Sequence, residues 1–191
     1  MPQSTIYPVV MAVPQTGREL SGKAQVDFLK EYAREAVARS ASVLGFSISA
    51  FETNERGAPL PADGIHWSLS HKPAYVAGVA ANHPIGIDVE KIRPINKGLF
   101  ARVIDASERR LLAADEPMLF FRFWTAKEVV LKRVGIGIAG LSKCRVRQVI
   151  DDYHLSVDYD GAGFMVAQTF FDDHIAAVLK AEDETIDWQF V

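Results

Sequence analysis

From Val26 onward apolar residues recur at intervals of three and four: Phe28, Leu29, Tyr32, Ala33, Ala36 and Val37. That period predicts a helix with one buried face, and Gly45 is placed to stop it. Residues 46–51 alternate apolar and polar positions instead, the pattern of a half-buried strand. Residues 54–64 are dense in Gly and Pro and predict a loop. Residues 65–71 and 74–81 predict two strands joined by a turn at Lys72-Pro73. After a second turn at Asn82-His83-Pro84 a third strand follows, "IGIDVE". Together these predict a meander of short antiparallel strands.

The helical period then returns. Residues 105–114 predict a short helix with Asp105 or Ser107 as its N-cap. Residues 117–135 carry the clearest helical pattern, with Pro117 suited to a first turn and Gly135 to a C-terminal stop. Phe120, Phe123, Trp124, Val130, Leu131 and Val134 form one apolar stripe on it. Arg122, Thr125 and Arg133 fall on the side predicted to face solvent. Lys127 falls inside the stripe, where a lysine needs a partner. Four strand-like stretches close the chain, at residues 144–150, 153–159, 164–170 and 174–181. This order predicts an α+β fold of antiparallel sheets with packed helices. "SHKPAYVAGVA" and "DDHIAAVLKA" both run from a histidine into a strand of small apolar residues. The echo is either chance or the trace of two α+β units with an active site in the groove between them.

Composition narrows the setting. Of 191 residues, 49% are hydrophobic, enough for a full core and against disorder as a global reading. Cys144 is the single cysteine, which excludes a disulfide within the chain and fits a reducing, cytoplasmic environment. The first residues lack a basic start followed by a long apolar run, so neither a signal peptide nor a membrane span is expected. A net charge of −3 gives no reason to expect nucleic acid or an anionic membrane as partner. The charge is uneven, however. Lys91, Arg93, Lys97, Arg102, Arg109 and Arg110 are opposed in that stretch only by Asp105 and Glu108, a local excess of +4. It is either a solvated helix face or a docking patch for an acidic partner.

The chemistry gathers on two short stretches. Asp88 and Glu90 stand two apart in a predicted strand, so both carboxylates point to one face. Their repulsion calls for a positive charge between them. On the long helix, Glu128 and Lys132 are four apart at the edge of the apolar stripe. Alone they would be an ordinary surface pair worth a few tenths of a kcal/mol. Joined to Asp88 and Glu90 they complete a set of three carboxylates suited to a hard divalent cation. Mg²⁺, or Mn²⁺ in its place, takes such oxygen ligands and shares its other positions with water or phosphate. A lysine beside it neutralises phosphate charge. The residues therefore predict Mg²⁺ and a phosphorylated substrate.

"GIDVE" (Gly86 to Glu90) followed by "FWTAKEVVLK" (Phe123 to Lys132) resembles the paired signature of the 4'-phosphopantetheinyl transferase superfamily. That signature is a G-x-D-x-E strand, then W-T/S-x-K-E-x-x-x-K on a helix. Upstream, "WSLSH" is similar to the family's S-H pair before a strand. The chain looks like the larger, two-lobed class, which serves peptide and polyketide synthetases. The resemblance covers residues 50–141 well. Residues 142–191 match in strand pattern alone, and residues 1–40 match poorly. It implies two similar α+β lobes related by a pseudo-twofold axis, here residues 1–85 and 86–191, with coenzyme A and Mg²⁺ in the cleft between them. It implies transfer of the phosphopantetheine arm of coenzyme A to a serine hydroxyl of an acidic apo acyl or peptidyl carrier protein, releasing 3',5'-ADP. A two-lobed chain completes its own cleft, so a monomer is expected. Carried onto this sequence, Asp88, Glu90 and Glu128 would hold Mg²⁺ and Lys132 would contact the pyrophosphate. Ser70 and His71 would contact coenzyme A phosphates. The serine needs a base, for which Glu128 and a metal-bound water both qualify.

Departures from the family pattern lie upstream. Its Gly-Lys-Pro or Gly-Arg-Pro is "RGAPLP" here, with Ala58 in the basic place and Arg56 two residues before it as a substitute for binding coenzyme A. The basic run that holds the 3'-phosphate is also missing, leaving Lys23, Lys30, Arg34 and Arg39 as candidates. "GIGIAG" at residues 135–140 matches G-x-G-x-x-G by letters, but it closes a helix and precedes a strand, the reverse of a dinucleotide loop. Two other functions draw on the same residues. A Mg²⁺-dependent nuclease or phosphohydrolase could use the three carboxylates, although no long basic stripe lies beside them. A non-catalytic carrier-protein binding module could use the basic patch.

Overall fold

The computed structural model describes residues 4–111 and 117–191. Strands β1 (Thr5–Ile6) and β2 (Val9–Ala12) come first, then a single turn α1 (Gln15–Arg18) and the long helix α2 (Gly22–Val43). Next are β3 (His66–His71), β4 (Tyr75–Ala81), β5 (Ile87–Lys91) and α3 (Lys97–Val103). A 3₁₀ turn at Glu108–Leu111 precedes α4 (Pro117–Val134), and a second at Gly137–Lys143 follows it. β6 (Cys144–Val149), β7 (His154–Tyr159), β8 (Ala162–Phe171) and β9 (His174–Lys180) come next, with β10 (Thr185–Ile186) and β11 (Gln189–Phe190) last. Helices and largely antiparallel sheets are both present, as an α+β fold requires, although β10 joins β1 and β11 joins β2 in parallel. No helix among the described residues is long and apolar enough to cross a membrane.

The layers follow from which faces are apolar. One sheet has the order β11-β2-β4-β3 and the other β5-β9-β8-β7-β6. Helix α2 packs Leu29, Ala33 and Ala36 against Val9, Met11 and Val76 of the first sheet. Gly78 permits this approach, since a β-carbon there would overlap the backbone of α2 at Val37. Helix α4 packs Val130 and Leu131 into a core with Leu155, Val157, Val166 and Ile175 of the second sheet. Between the sheets lies a shared apolar layer, with Val10, Ala77 and Val79 on one side and Ile87, Val89, Ala176 and Val178 on the other. The last strand, β11, returns to pair with β2, and β10 pairs with β1.

Several predicted elements stand. Gly45 at φ +78° and Gly135 at φ +76° stop α2 and α4 in the left-handed conformation that glycine adopts most easily. The β3–β4 hairpin closes with the Lys72 N–H donating to the Tyr75 carbonyl, and the four C-terminal strands form at the predicted places.

Other expectations fail for physical reasons. β5 does not continue the hairpin as a meander; it crosses to the other sheet and pairs antiparallel with β9, Asp88 opposite Ala177 and Glu90 opposite Ile175. Residues 46–51 find no strand to pair with; Ile48 and Phe51 anchor them, packed beside Trp67. The helix expected over residues 105–114 is a 3₁₀ turn where it is described, although Asp105 does accept from the Ser107 and Glu108 N–H groups as a cap would; residues 112–114 lie outside the described residues. Arg122 and Thr125 are buried rather than solvent-facing. Gln168 of β8 covers that side of α4 and bonds both side chains. Arg133 is half-buried over the Phe164 ring.

Candidate active site

The edges of the two sheets meet at β3 and β5 without a backbone ladder. Two serines of "WSLSH", two residues apart and so on one face, make the join. Ser68 Oγ accepts from the Ile87 N–H at 3.1 Å, and Ser70 Oγ donates to Asp88 Oδ1 at 2.8 Å. Gly86 brings the other wall close, because a β-carbon there would overlap the Val129 carbonyl of α4. That close approach sets Glu128, one residue earlier on the helix, beside β5.

Asp88 and Glu90 share one face, as the strand period requires, and both are buried. In the structure the positive charges on them are lysines. Lys132 Nζ donates to Asp88 Oδ1 and to the Ile87 carbonyl, both at 2.8 Å. Lys72 Nζ pairs with Glu90 Oε1 at 2.9 Å, and Trp124 Nε1 donates to the same oxygen at 2.9 Å. Among the described residues no three acid, His or Cys side chains already converge on one point as metal ligands do, since each strand acid is turned onto a lysine. Yet Asp88 Oδ2 and Glu128 Oε1 are buried with no hydrogen-bond partner. Burial, then the charges of Asp88 and Glu90, push the Glu128 carboxyl up to about 7. Partnerless buried carboxylate oxygens cost free energy unless something positive meets them. These hard oxygen donors fit a divalent cation by chemistry.

Lys132 also lines an open groove with a volume of about 200 Å³. Lys30 and Arg34 of α2 and Arg56 of the loop line it too, with Ala58, Trp67 and Gly135. Arg34 pairs with Glu31 at 2.7 Å, while its Nε is buried without a partner. His71 stands among these charges; burial and then Lys72, Lys132 and Lys30 depress its pKa, which keeps the imidazole neutral at neutral pH.

The structure thus brings Asp88, Glu90, Glu128, Lys132 and Ser70 into one cluster and places Arg56 on the adjoining groove. Ser70 bonds an acid of that cluster. Lys127, inside the apolar stripe, has its partner elsewhere: Glu108, at 2.7 Å. The sequence reading missed Lys72, a lone lysine in a turn. It took Trp124 for an apolar residue; the hint was its place one helical turn before Glu128. Lys30 and Arg34 were candidates without a motif, and the groove distinguishes them from Lys23 and Arg39.

Comparison with known proteins gives the cluster a context. The family model of the 4'-phosphopantetheinyl transferase superfamily matches residues 84–184, which include Asp88, Glu90, Glu128 and Lys132. The 4'-phosphopantetheinyl transferase psf-1 of Bacillus pumilus is 36% identical over 104 residues, 51% of this chain and 45% of that protein. The 4'-phosphopantetheinyl transferase gsp of Aneurinibacillus migulanus is 33% identical over 92 residues, 46% of this chain and 39% of that protein. The 4'-phosphopantetheinyl transferase HetI of Nostoc sp. is 33% identical over 108 residues, 50% of this chain and 46% of that protein. The chain thus spans about half the length of the curated relatives it matches. Since the match covers more than half of its residues, the chain belongs to the 4'-phosphopantetheinyl transferase superfamily.

Proposed function

We propose that this chain transfers the 4'-phosphopantetheine arm of coenzyme A to a serine of an apo acyl or peptidyl carrier protein, with Mg²⁺ and with release of 3',5'-ADP. The observation that carries the reading is the partnerless oxygens of Asp88 and Glu128, joined through Lys132 to a groove lined by cations. In this reading residues 1–85 and 86–191 act as two lobes, and the groove at their seam takes coenzyme A.

Phosphoryl transfer depends on positioning and on neutralising charge. The serine oxygen bonds to the phosphorus that carries the pantetheine arm. The bond from that phosphorus to the ADP oxygen breaks, and 3',5'-ADP leaves with the electron pair. Lys132, which lines the groove, neutralises the diphosphate. Lys30, Arg34 and Arg56 attract the nucleotide's remaining phosphate, in place of the basic residue that Ala58 lacks. His71, neutral among lysines, donates a hydrogen bond to a phosphate oxygen. Asp88, Glu90 and Glu128 would hold the divalent cation, which when bound supplies charge neutralisation at the diphosphate. The serine proton needs an acceptor, and Glu128 is the carboxylate of the cluster assigned to it here.

The carrier docks, in this reading, on the basic face after β5. Arg102, Arg109 and Arg110 are exposed there, Arg109 over the Phe100 ring at 4.9 Å. Glu108, one of the two opposing acids, is fully buried and spends its charge on Lys127. The face is therefore more positive than the sequence count suggests.

The test is intact-protein mass spectrometry of apo carrier proteins incubated with coenzyme A, Mg²⁺ and either wild type or Glu128→Ala. A phosphopantetheine mass gain with wild type alone supports the proposal. No gain on fatty-acid, polyketide and peptide carriers, with coenzyme A bound, contradicts it.

A further inference from the structure

Lys72 reaches across the seam. Its backbone closes the β3–β4 turn, but its side chain ends on Glu90 of the other sheet, 2.9 Å from Oε1. Trp124 Nε1 donates to that same oxygen. The Asp88 side repeats the arrangement: Ser70 and Lys132 both donate to Oδ1, and Oδ2 is left without a partner. Each strand acid therefore has one oxygen held by two donors. Fixing one oxygen of a carboxylate fixes its plane and the direction of the other, which is how supporting residues orient metal ligands.

We infer that Lys72 is a positioning residue of this site that acts by its charge: Trp124 Nε1 also holds the same Glu90 oxygen, so what Lys72 alone adds is a positive charge that weakens the site's hold on a divalent cation while strengthening its hold on an anionic diphosphate. The inference rests on the proposed metal site. The charges give its direction. The three acids, when ionised, outweigh Lys72 and Lys132 by one negative charge. A divalent cation converts that into an excess of one positive charge, facing the groove where Lys132 stands. Without Lys72 the loaded cluster would be neutral. Lys72 thus repels the cation, because both are positive and both face Glu90, and attracts the diphosphate for the same reason. A lysine serving only to neutralise a buried glutamate would change stability, but would not move the two affinities in opposite directions. The side chain is 34% exposed and sits in a turn, so its truncation spares the core.

The test compares wild type, Lys72→Met and Lys72→Arg. Free Mn²⁺ is followed by electron paramagnetic resonance during titration without substrate, and coenzyme A binding is measured by calorimetry at saturating Mn²⁺. Lys72→Met is expected to bind Mn²⁺ about tenfold tighter and coenzyme A about tenfold weaker, each about 1.4 kcal/mol. Lys72→Arg, which keeps the charge, is expected to stay within about twofold of wild type in both. If wild type binds Mn²⁺ but Lys72→Met leaves both constants unchanged or moves them together, the role of Lys72 falls and the metal site stands. If wild type binds no Mn²⁺, the metal site falls and the inference with it.

Discussion

Helix α4 holds two lysine–carboxylate pairs five residues apart, and they differ in every respect that bears on function. Lys127 and Glu108 are closed off, their side chains 2% and 0% exposed. Glu108 is fully used: one oxygen accepts from Lys127 and the Asp105 N–H, the other from the Val146 N–H at 2.7 Å. Lys127 also donates to the Val103 carbonyl. Lys132 and Asp88 sit at a groove, the lysine 25% exposed, with one Asp88 oxygen and one Glu128 oxygen buried and partnerless. The first pair pins the segment before α4, and β6, to the helix. The second is left incomplete by the fold. A fully satisfied ion pair is read as structure; one that the protein leaves open beside a groove is read as chemistry.

Breaking the closed pair gives the largest expected effect. Removing one partner leaves a buried charge uncompensated, so Glu108→Gln should lose about 3–5 kcal/mol of stability, read from urea unfolding, while the fraction that folds still transfers. Gly86→Ala should cost about 1–3 kcal/mol by overpacking against Val129, and it should also lower transfer, because the same contact seats Glu128.

The open cluster should behave in the opposite way. An acid whose folded pKa is raised from 4.5 to about 7 binds its proton more tightly in the folded state. Folding carries no penalty from it below the unfolded value, and the penalty grows as pH rises from about 4.5 to about 7. Wild type should therefore lose stability relative to Glu128→Gln across that window, seen as diverging melting temperatures. Equal pH dependence would remove Glu128 from the contrast.

On the surface the effects shrink. Arg109→Glu with Arg110→Glu should raise KM for the carrier several-fold, leave the Kd of coenzyme A unchanged and move stability by less than about 0.5 kcal/mol. Unchanged carrier kinetics would detach the basic face from function. The smallest signal is an absence of reaction. Cys144, whose sulfur lies 3.9 Å from the Lys127 carbonyl, has its thiol pushed up to about 12 by burial. It should resist alkylation until the protein unfolds.

The legible parts of the molecule were those set by local chemistry. Gly135 ended α4, Gly45 ended α2, and the two-residue spacing of Asp88 and Glu90 put both acids on one face. What escaped depended on distant partners. No local signal says that β5 leaves the hairpin for β9, because strand pairing is non-local. Helix α3 is short and contains Gly98, so its period is weak, although Asn96 caps it by accepting from the Leu99 N–H. Arg122 and Thr125 read as solvent-facing because a single stripe assumes one buried side; Gln168 of β8 buries another. The candidate site was legible in its acids and in Lys132, which share a strand face and a helix edge. Lys72 was not, because its role exists only where β3 lies beside β5.

The contrast is tested most directly by Glu128→Gln, with urea unfolding and carrier modification measured on the same preparation at pH 8. The prediction is an unfolding midpoint at or above that of wild type, together with no phosphopantetheine gain on the carrier. A midpoint that falls as far as that of Glu108→Gln, or a carrier modified at the wild-type rate, would contradict it.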